Sequence, residues 1–141
     1  MRGCLDTTVL LERFDRDAPD LPLRQTLACG KIELAGSNEV LLEYEQVVTR
    51  LSGRSRWAMV EHVLRERREA PANVVFVQPQ FRFAAVEAAP DDNKFSDCAI
   101  AAEADYVITE DRHFDALARS NYPPKPITSA AFILQPLQRG D

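Results

Sequence analysis

Apolar side chains return at three- and four-residue steps through the middle of the chain, at Val40, Leu41, Tyr44, Val47, Val48 and Leu51. That spacing lines them up as one stripe and predicts a helix with a single buried face, opened by Ser37 or Asn38 as a cap. Glu43 falls between Val40 and Val47 and borders the stripe, whereas Glu39 and Glu45 turn outward. After a break at Ser52-Gly53, Trp57, Val60, Val63 and Leu64 mark the apolar side of a second helix over 55–69, with His62 on its surface, and Pro71 stops it.

Shorter runs read differently. Val74-Val75-Phe76-Val77 and Tyr106-Val107-Ile108-Thr109 are continuous apolar or β-branched runs of buried-strand type, and Ile32-Glu33-Leu34-Ala35, closed by Gly36, is a further strand. Arg2 to Leu5 is too brief to show a period, but Asp6-Thr7-Thr8-Val9-Leu10-Leu11 reads as a strand end, a polar turn and the opening of a helix. Asp17 to Pro22 is a loop, and Leu23 to Cys29 a short helix ended by Gly30. Residues 81–86 fit an extended segment or a loop equally. Phe114 to Ala118 predicts a short helix, Tyr122 to Pro126 an irregular segment, Ile127-Thr128 a last edge strand and 129–134 a final helical turn.

Residues 91–111 combine several of these signals. An acidic cluster after Pro90 caps a helix, which runs through Phe95, Cys98 and an alanine-rich segment into the Tyr106 strand. Asp97 sits in that mostly apolar helix, where a buried acid needs a partner, and Asp111 falls just past the strand's C-terminal end. Strands alternating with helices predict an α/β fold, three-layer α/β/α with a mainly parallel central sheet, formed by residues 1–141 as a single domain.

Composition narrows the class. With 45% apolar and 28% charged residues, the chain has the make-up of a globular domain rather than a disordered one. No apolar run is long enough to span a membrane, and Asp6 interrupts the N-terminus too early for a signal peptide, so a cytoplasmic location is expected. Cys4, Cys29 and Cys98 are odd in number and far apart, which favours free buried thiols and, with His62 and His113 showing no ligand spacing, argues against zinc. Arg50, Arg54, Arg56, Arg65, Arg67 and Arg68 form either a solvated face balanced by Glu61, Glu66 and Glu69, or a phosphate-binding surface. At a net charge of −5, attraction for nucleic acid would need such a local patch or metal ions.

Four acids then recur at one edge of the expected sheet: Asp6 and Asp111 at strand ends, Glu43 and Asp97 on helices beside them. Packed together they repel, and divalent cations would relieve the repulsion. Mg²⁺ or Mn²⁺ suits an all-carboxylate site and activates water for in-line attack on a phosphodiester.

These residues resemble those of the PIN domain family, the nuclease fold named after the N-terminus of a pilus-retraction protein. The likeness is strongest to the branch described as toxin components of bacterial toxin–antitoxin systems. It rests on Leu5-Asp6-Thr7-Thr8-Val9-Leu10, on Ser37 through Tyr44, and on Asp91 through Asp97 with Thr109-Glu110-Asp111. The resemblance implies metal-dependent ribonuclease activity, with Asp6, Glu43, Asp97 and Asp111 catalytic and on the Mg²⁺ or Mn²⁺ ions. Thr7, Asn93 and Thr109 would support them, and Arg65, Arg67 and Arg68 are candidate RNA contacts. It also implies an antitoxin protein as partner and a homodimer. Where the family commonly has Asn, this chain has Thr8, whose hydroxyl supplies only part of the amide's hydrogen bonding and predicts a looser hold on Asp6. Two other readings stay open: a non-catalytic module that binds RNA or protein, and a phosphohydrolase or receiver-type domain with Asp6 as phosphoryl acceptor. Against the second, the closely spaced acids usual in nucleophile loops are missing.

Overall fold

The computed structural model describes residues 2–11, 32–66, 73–80, 92–119, 122–128 and 131–132. In chain order the elements are β1 (Arg2–Leu5), the single helical turn α1 (Thr7–Val9), β2 (Glu33–Gly36), α2 (Asn38–Ser52), α3 (Arg54–Glu66) and β3 (Val74–Phe76). They continue with α4 (Asn93–Ala101), β4 (Tyr106–Ile108), a 3-10 turn (Arg112–Phe114), α5 (Asp115–Ala118) and β5 (Lys125–Ile127). The five strands form one sheet in the order β3-β2-β1-β4-β5, and every pairing is parallel. The fold is therefore α/β, as the alternation of strands and helices required. The loop at 17–22, the helix at 23–29 with Cys29, residues 81–86, and Arg67 and Arg68 lie outside the described residues, as does most of 129–134.

The parallel arrangement decides where function can sit. Every strand points the same way, so residues that follow strands share one edge of the sheet, and a helix returning from that edge begins there. The register Leu5↔Ile108 between the neighbouring strands β1 and β4 sets Asp6 beside Thr109. Asp6 donates its backbone N–H to the Ile108 carbonyl at 3.0 Å, extending the ladder by one bond. β1 is the central strand, and Gly3 leaves room on it for a neighbouring side chain: a Cβ there would come within 2.7 Å of Ile108 Cδ1.

Helix α2 follows the expected stripe over most of its length. Val40, Tyr44 and Val48 are buried, while Leu51 is 63% exposed. Ser37 caps the helix by accepting the Val40 N–H at 3.2 Å, and Gly53, at φ 92°, turns the chain into α3 in a conformation that only glycine adopts without strain. α3 buries Trp57, Val60, Val63 and Leu64 and packs on α2. α4 lies against β1, β2 and β4, burying Phe95, Cys98 and Ala99. Cys4 and Cys98 are free thiols in this core, and the bond to Cys98, with burial behind it, holds the Cys4 thiol in its protonated form.

Several boundaries differ from expectation: β3 and β4 each end one residue earlier, at Phe76 and Ile108, and α3 begins one residue earlier, at Arg54. β2 starts one residue later, at Glu33, and Lys125 and Pro126 are strand rather than irregular. Proline is tolerated there because, among the described residues, β5 is the edge strand and pairs with β4 alone. Among the described residues no helix is long and apolar enough to cross a membrane.

Candidate active site

Asp6 begins α1 as its N-cap and is 7% exposed. Its Oδ1 accepts the Thr8 backbone N–H at 2.8 Å, and its Oδ2 accepts the Thr109 hydroxyl at 2.6 Å. Thr109 in turn accepts the Asp111 N–H at 2.9 Å, so one hydroxyl links the acids that follow β1 and β4. Neither bond to Asp6 uses the Thr8 side chain, which is exposed. The backbone at Thr8 and the Thr109 hydroxyl are the partners that hold Asp6.

Glu43 reaches the same place from α2. One of its oxygens accepts the buried Thr7 hydroxyl in a short hydrogen bond, and the other lies 2.9 Å from Lys94 Nζ. Its neighbour Tyr44 anchors this part of the helix by donating a short hydrogen bond to the Leu5 carbonyl, and stacks on Phe95 with ring centroids 6.4 Å apart. The order β1, α1, α2 is thereby tied together by residues 5, 7, 43 and 44.

Asp92 occupies the position before α4 but makes no capping bond with its side chain. Its carboxylate faces the cluster instead. Burial first, and then the charges of Asp111, Asp6 and Glu43, raise its pKa above the ordinary value, with His113 acting in the opposite sense. Asp6 is raised in the same way, by burial first and by Asp111 and Glu43, against the lowering effect of its bonds to Thr109 and Thr8. Asp111 caps the 3-10 turn by accepting the His113 N–H at 2.9 Å. His113 Nδ1 stands 3.1 Å from Asp111 Oδ1 and 3.8 Å from Asp92 Oδ2. Asp92, Asp111 and His113 each offer a ligand atom, all within 4.8 Å of one another.

Of the acids expected at this edge, Asp6, Glu43 and Asp111 act on Asp92, as their charges on it show. Asp97 is buried, at 8% exposure, and lines an adjoining cleft with Ser37, Asn38, Gln78, Gln80 and Lys94. Asn93 opens α4 beside Asp92, and its carbonyl accepts the Ser96 hydroxyl at 3.1 Å. Arg65 forms a short i,i+4 ion pair with Glu61, which matches the solvated-face reading of that helix. Asp92, Lys94 and His113 were not singled out from the sequence as site residues. The signal for Asp92 was legible in the acidic pair Asp91-Asp92, but it reads equally well as a helix cap.

Oxygen donors from four segments, with one lysine to balance them, are a donor set that a hard divalent cation fits. Burial first, and then the neighbouring carboxylates, raise the pKa values of Asp6 and Asp92, and a bound cation would offset the second of these effects. Among curated proteins and among solved structures, none matches the chain. The family model of the PIN domain matches residues 2–113, from β1 through the acids after β4. PIN domains are generally metal-dependent nucleases. With four-fifths of its length under that match and its acids gathered where the parallel strands end, the chain belongs to the PIN domain family.

Proposed function

We propose that the chain is a ribonuclease dependent on Mg²⁺ or Mn²⁺ that hydrolyses RNA phosphodiester bonds with water as nucleophile, acting as the toxin of a toxin–antitoxin pair. The observation that supports it best is the convergence of Asp6, Glu43, Asp92 and Asp111, with Asp6 and Asp92 raised by burial and then by their neighbours' charges. In this reading Asp92 takes the ligand role that the sequence assigned to Asp97. Asp97 then serves the cleft where the RNA strand would lie. The toxin role, the antitoxin partner and the homodimer are carried by the family resemblance.

A divalent cation held there would ease deprotonation of the attacking water and stabilise the departing oxygen. The chain's own part is to hold the donors. Thr109 and the Thr8 amide aim Asp6, Thr7 aims Glu43, and the His113 N–H aims Asp111. Such partners restrict the carboxylates before anything binds. The phosphoryl-acceptor reading is disfavoured by the same contacts, since both oxygens of Asp6 are already hydrogen-bonded and the side chain is buried.

The direct test incubates purified protein with total RNA in Mg²⁺, Mn²⁺ or chelator and sequences the new ends. Cleavage confined to the metal arms is expected. Folded protein that binds RNA and leaves it intact in every arm would establish the non-catalytic module instead. His113 adds a prediction on the ion. Its imidazole is a ligand type that Mg²⁺, with its preference for oxygen and retained water, accepts poorly. Mn²⁺ should therefore bind more tightly than Mg²⁺, and His113→Ala should weaken Mn²⁺ binding about tenfold while changing Mg²⁺ binding less. Calorimetric titration of both ions reads this; equal losses for the two would remove His113 from the ligand set.

A further inference from the structure

Lys94 lies between two surroundings. On one side its ammonium pairs with Glu43 at 2.9 Å, each side chain being about a quarter exposed, at 25% and 24%. On the other it lines the adjoining cleft of about 460 Å³, among whose described lining residues it is the cation. The remaining described walls are Pro79, the carboxylates of Glu39 and Asp97, the amides of Asn38, Gln78 and Gln80, and the hydroxyl of Ser37. The last four donate and accept hydrogen bonds without a fixed charge, so Lys94 is where a phosphate would be held against two acids. The volume falls within the range of small-ligand sites. Such walls match the edges of unpaired bases, which single-stranded RNA exposes and a duplex hides.

The pair with Glu43 has an electrostatic consequence. As long as the ammonium stays there, a cation approaching Glu43 meets a carboxylate that is already neutralised. Lysine's charge sits on a flexible four-carbon stem, so a move from one surrounding to the other needs only side-chain rotation.

We propose that Lys94 is a substrate-binding residue that exchanges partners, neutralising Glu43 in the metal-free chain and contacting a phosphate of single-stranded RNA in the cleft when Glu43 turns to a divalent ion. The inference rests on the ribonuclease reading and adds to it a coupling between metal and RNA: each makes room for the other through one ammonium. Binding of the two is then cooperative, and the linkage is reciprocal.

The coupling separates Lys94 from a merely structural residue, because removing its charge should move two affinities in opposite directions. Lys94→Gln is expected to bind Mn²⁺ roughly threefold more tightly in calorimetry, the competing ammonium being gone. The same variant should bind a fluorescein-labelled single-stranded RNA about tenfold more weakly in Ca²⁺, read by anisotropy with the RNA checked for integrity. Its salt slope should fall by ~0.7, one phosphate contact on a single strand. Lys94→Arg should retain the RNA affinity. Glu43→Gln, which frees the ammonium without any metal, should tighten RNA binding in chelator.

Weaker Mn²⁺ binding by Lys94→Gln, unchanged RNA affinity in that variant, or unchanged RNA affinity of Glu43→Gln in chelator would each overturn the exchange. If the unsubstituted chain binds both Mn²⁺ and RNA and Lys94→Gln behaves identically, this inference falls alone. If the unsubstituted chain binds neither, the ribonuclease reading falls and takes the inference with it.

Discussion

Asp92→Asn is expected to lose metal-dependent RNA cleavage by ~10²-fold or more in kcat, the scale of removing one preorganised electrostatic group from a reacting centre. The amide keeps the shape of the side chain and discards the charge. Because Asp92 makes no capping bond and is only half-buried, the fold should survive the change, which circular dichroism and a melting curve will check. Asp97→Asn makes the informative companion. From the cleft wall it should raise KM for RNA more than it lowers kcat, since its place is with Gln78, Gln80 and Lys94. Calorimetry should show Mn²⁺ binding impaired in Asp92→Asn and largely retained in Asp97→Asn. The reverse pattern would return the ligand role to Asp97.

The second large effect concerns stability. In chelator, Asp111→Asn is expected to melt at or above the temperature of the unsubstituted protein, because one charge is taken out of a cluster in which Asp111 raises both Asp6 and Asp92. Asparagine can still cap the 3-10 turn through its side-chain oxygen, so the bond from the His113 N–H has an acceptor. Mg²⁺ or Mn²⁺ should reverse the order. A ligand at a hundredfold excess over its Kd stabilises the native state by about 2.7 kcal/mol, and the amide variant, with a weaker site, gains less.

Acid titration should carry the same signature. Asp6 and Asp92 have folded-state pKa values above the ordinary ones, so between the two values the native chain holds protons that the unfolded chain has released. Stability from this source is greatest at or below the ordinary carboxylate range, ~4, and is lost as pH rises through the raised values. In chelator the melting temperature of the unsubstituted protein should show that loss, and saturating Mn²⁺ should suppress it. A protein whose melting temperature ignores divalent ions, and whose Asp111→Asn variant is clearly less stable in chelator, would make Asp111 a structural cap and put the non-catalytic module ahead.

Much of this site could be read before any coordinates. Asp6, Thr109 and Asp111 follow short β-branched or apolar runs, and in a parallel sheet all residues in that position share an edge. Glu43 was placed by helical period alone, at the border of the Val40-Tyr44-Val48 stripe that the structure buries. Local rules fail at Lys125 and Pro126, where a proline-rich stretch reads as irregular. Only the fact that β5 lies at the sheet's edge permits a strand there.

The sequence by itself therefore determined the fold class and the edge at which Asp6, Glu43 and Asp111 lie, because strand direction and helical period are local properties. Tertiary structure set Asp92 beside those acids and Asp97 in the wall of the adjoining cleft. Five residues apart, they lie about 140° apart around an ideal helix and so point different ways. Where each points depends on the rotation of α4 about its axis. That rotation is set by the packing of Phe95, Cys98 and Ala99 on α4 against neighbouring elements, including Phe95 against Tyr44. It also decided that Lys94 reaches Glu43, 51 positions away in the chain. No spacing rule connects residues so far apart; they meet because α2 and α4 both begin at the edge where the parallel strands end.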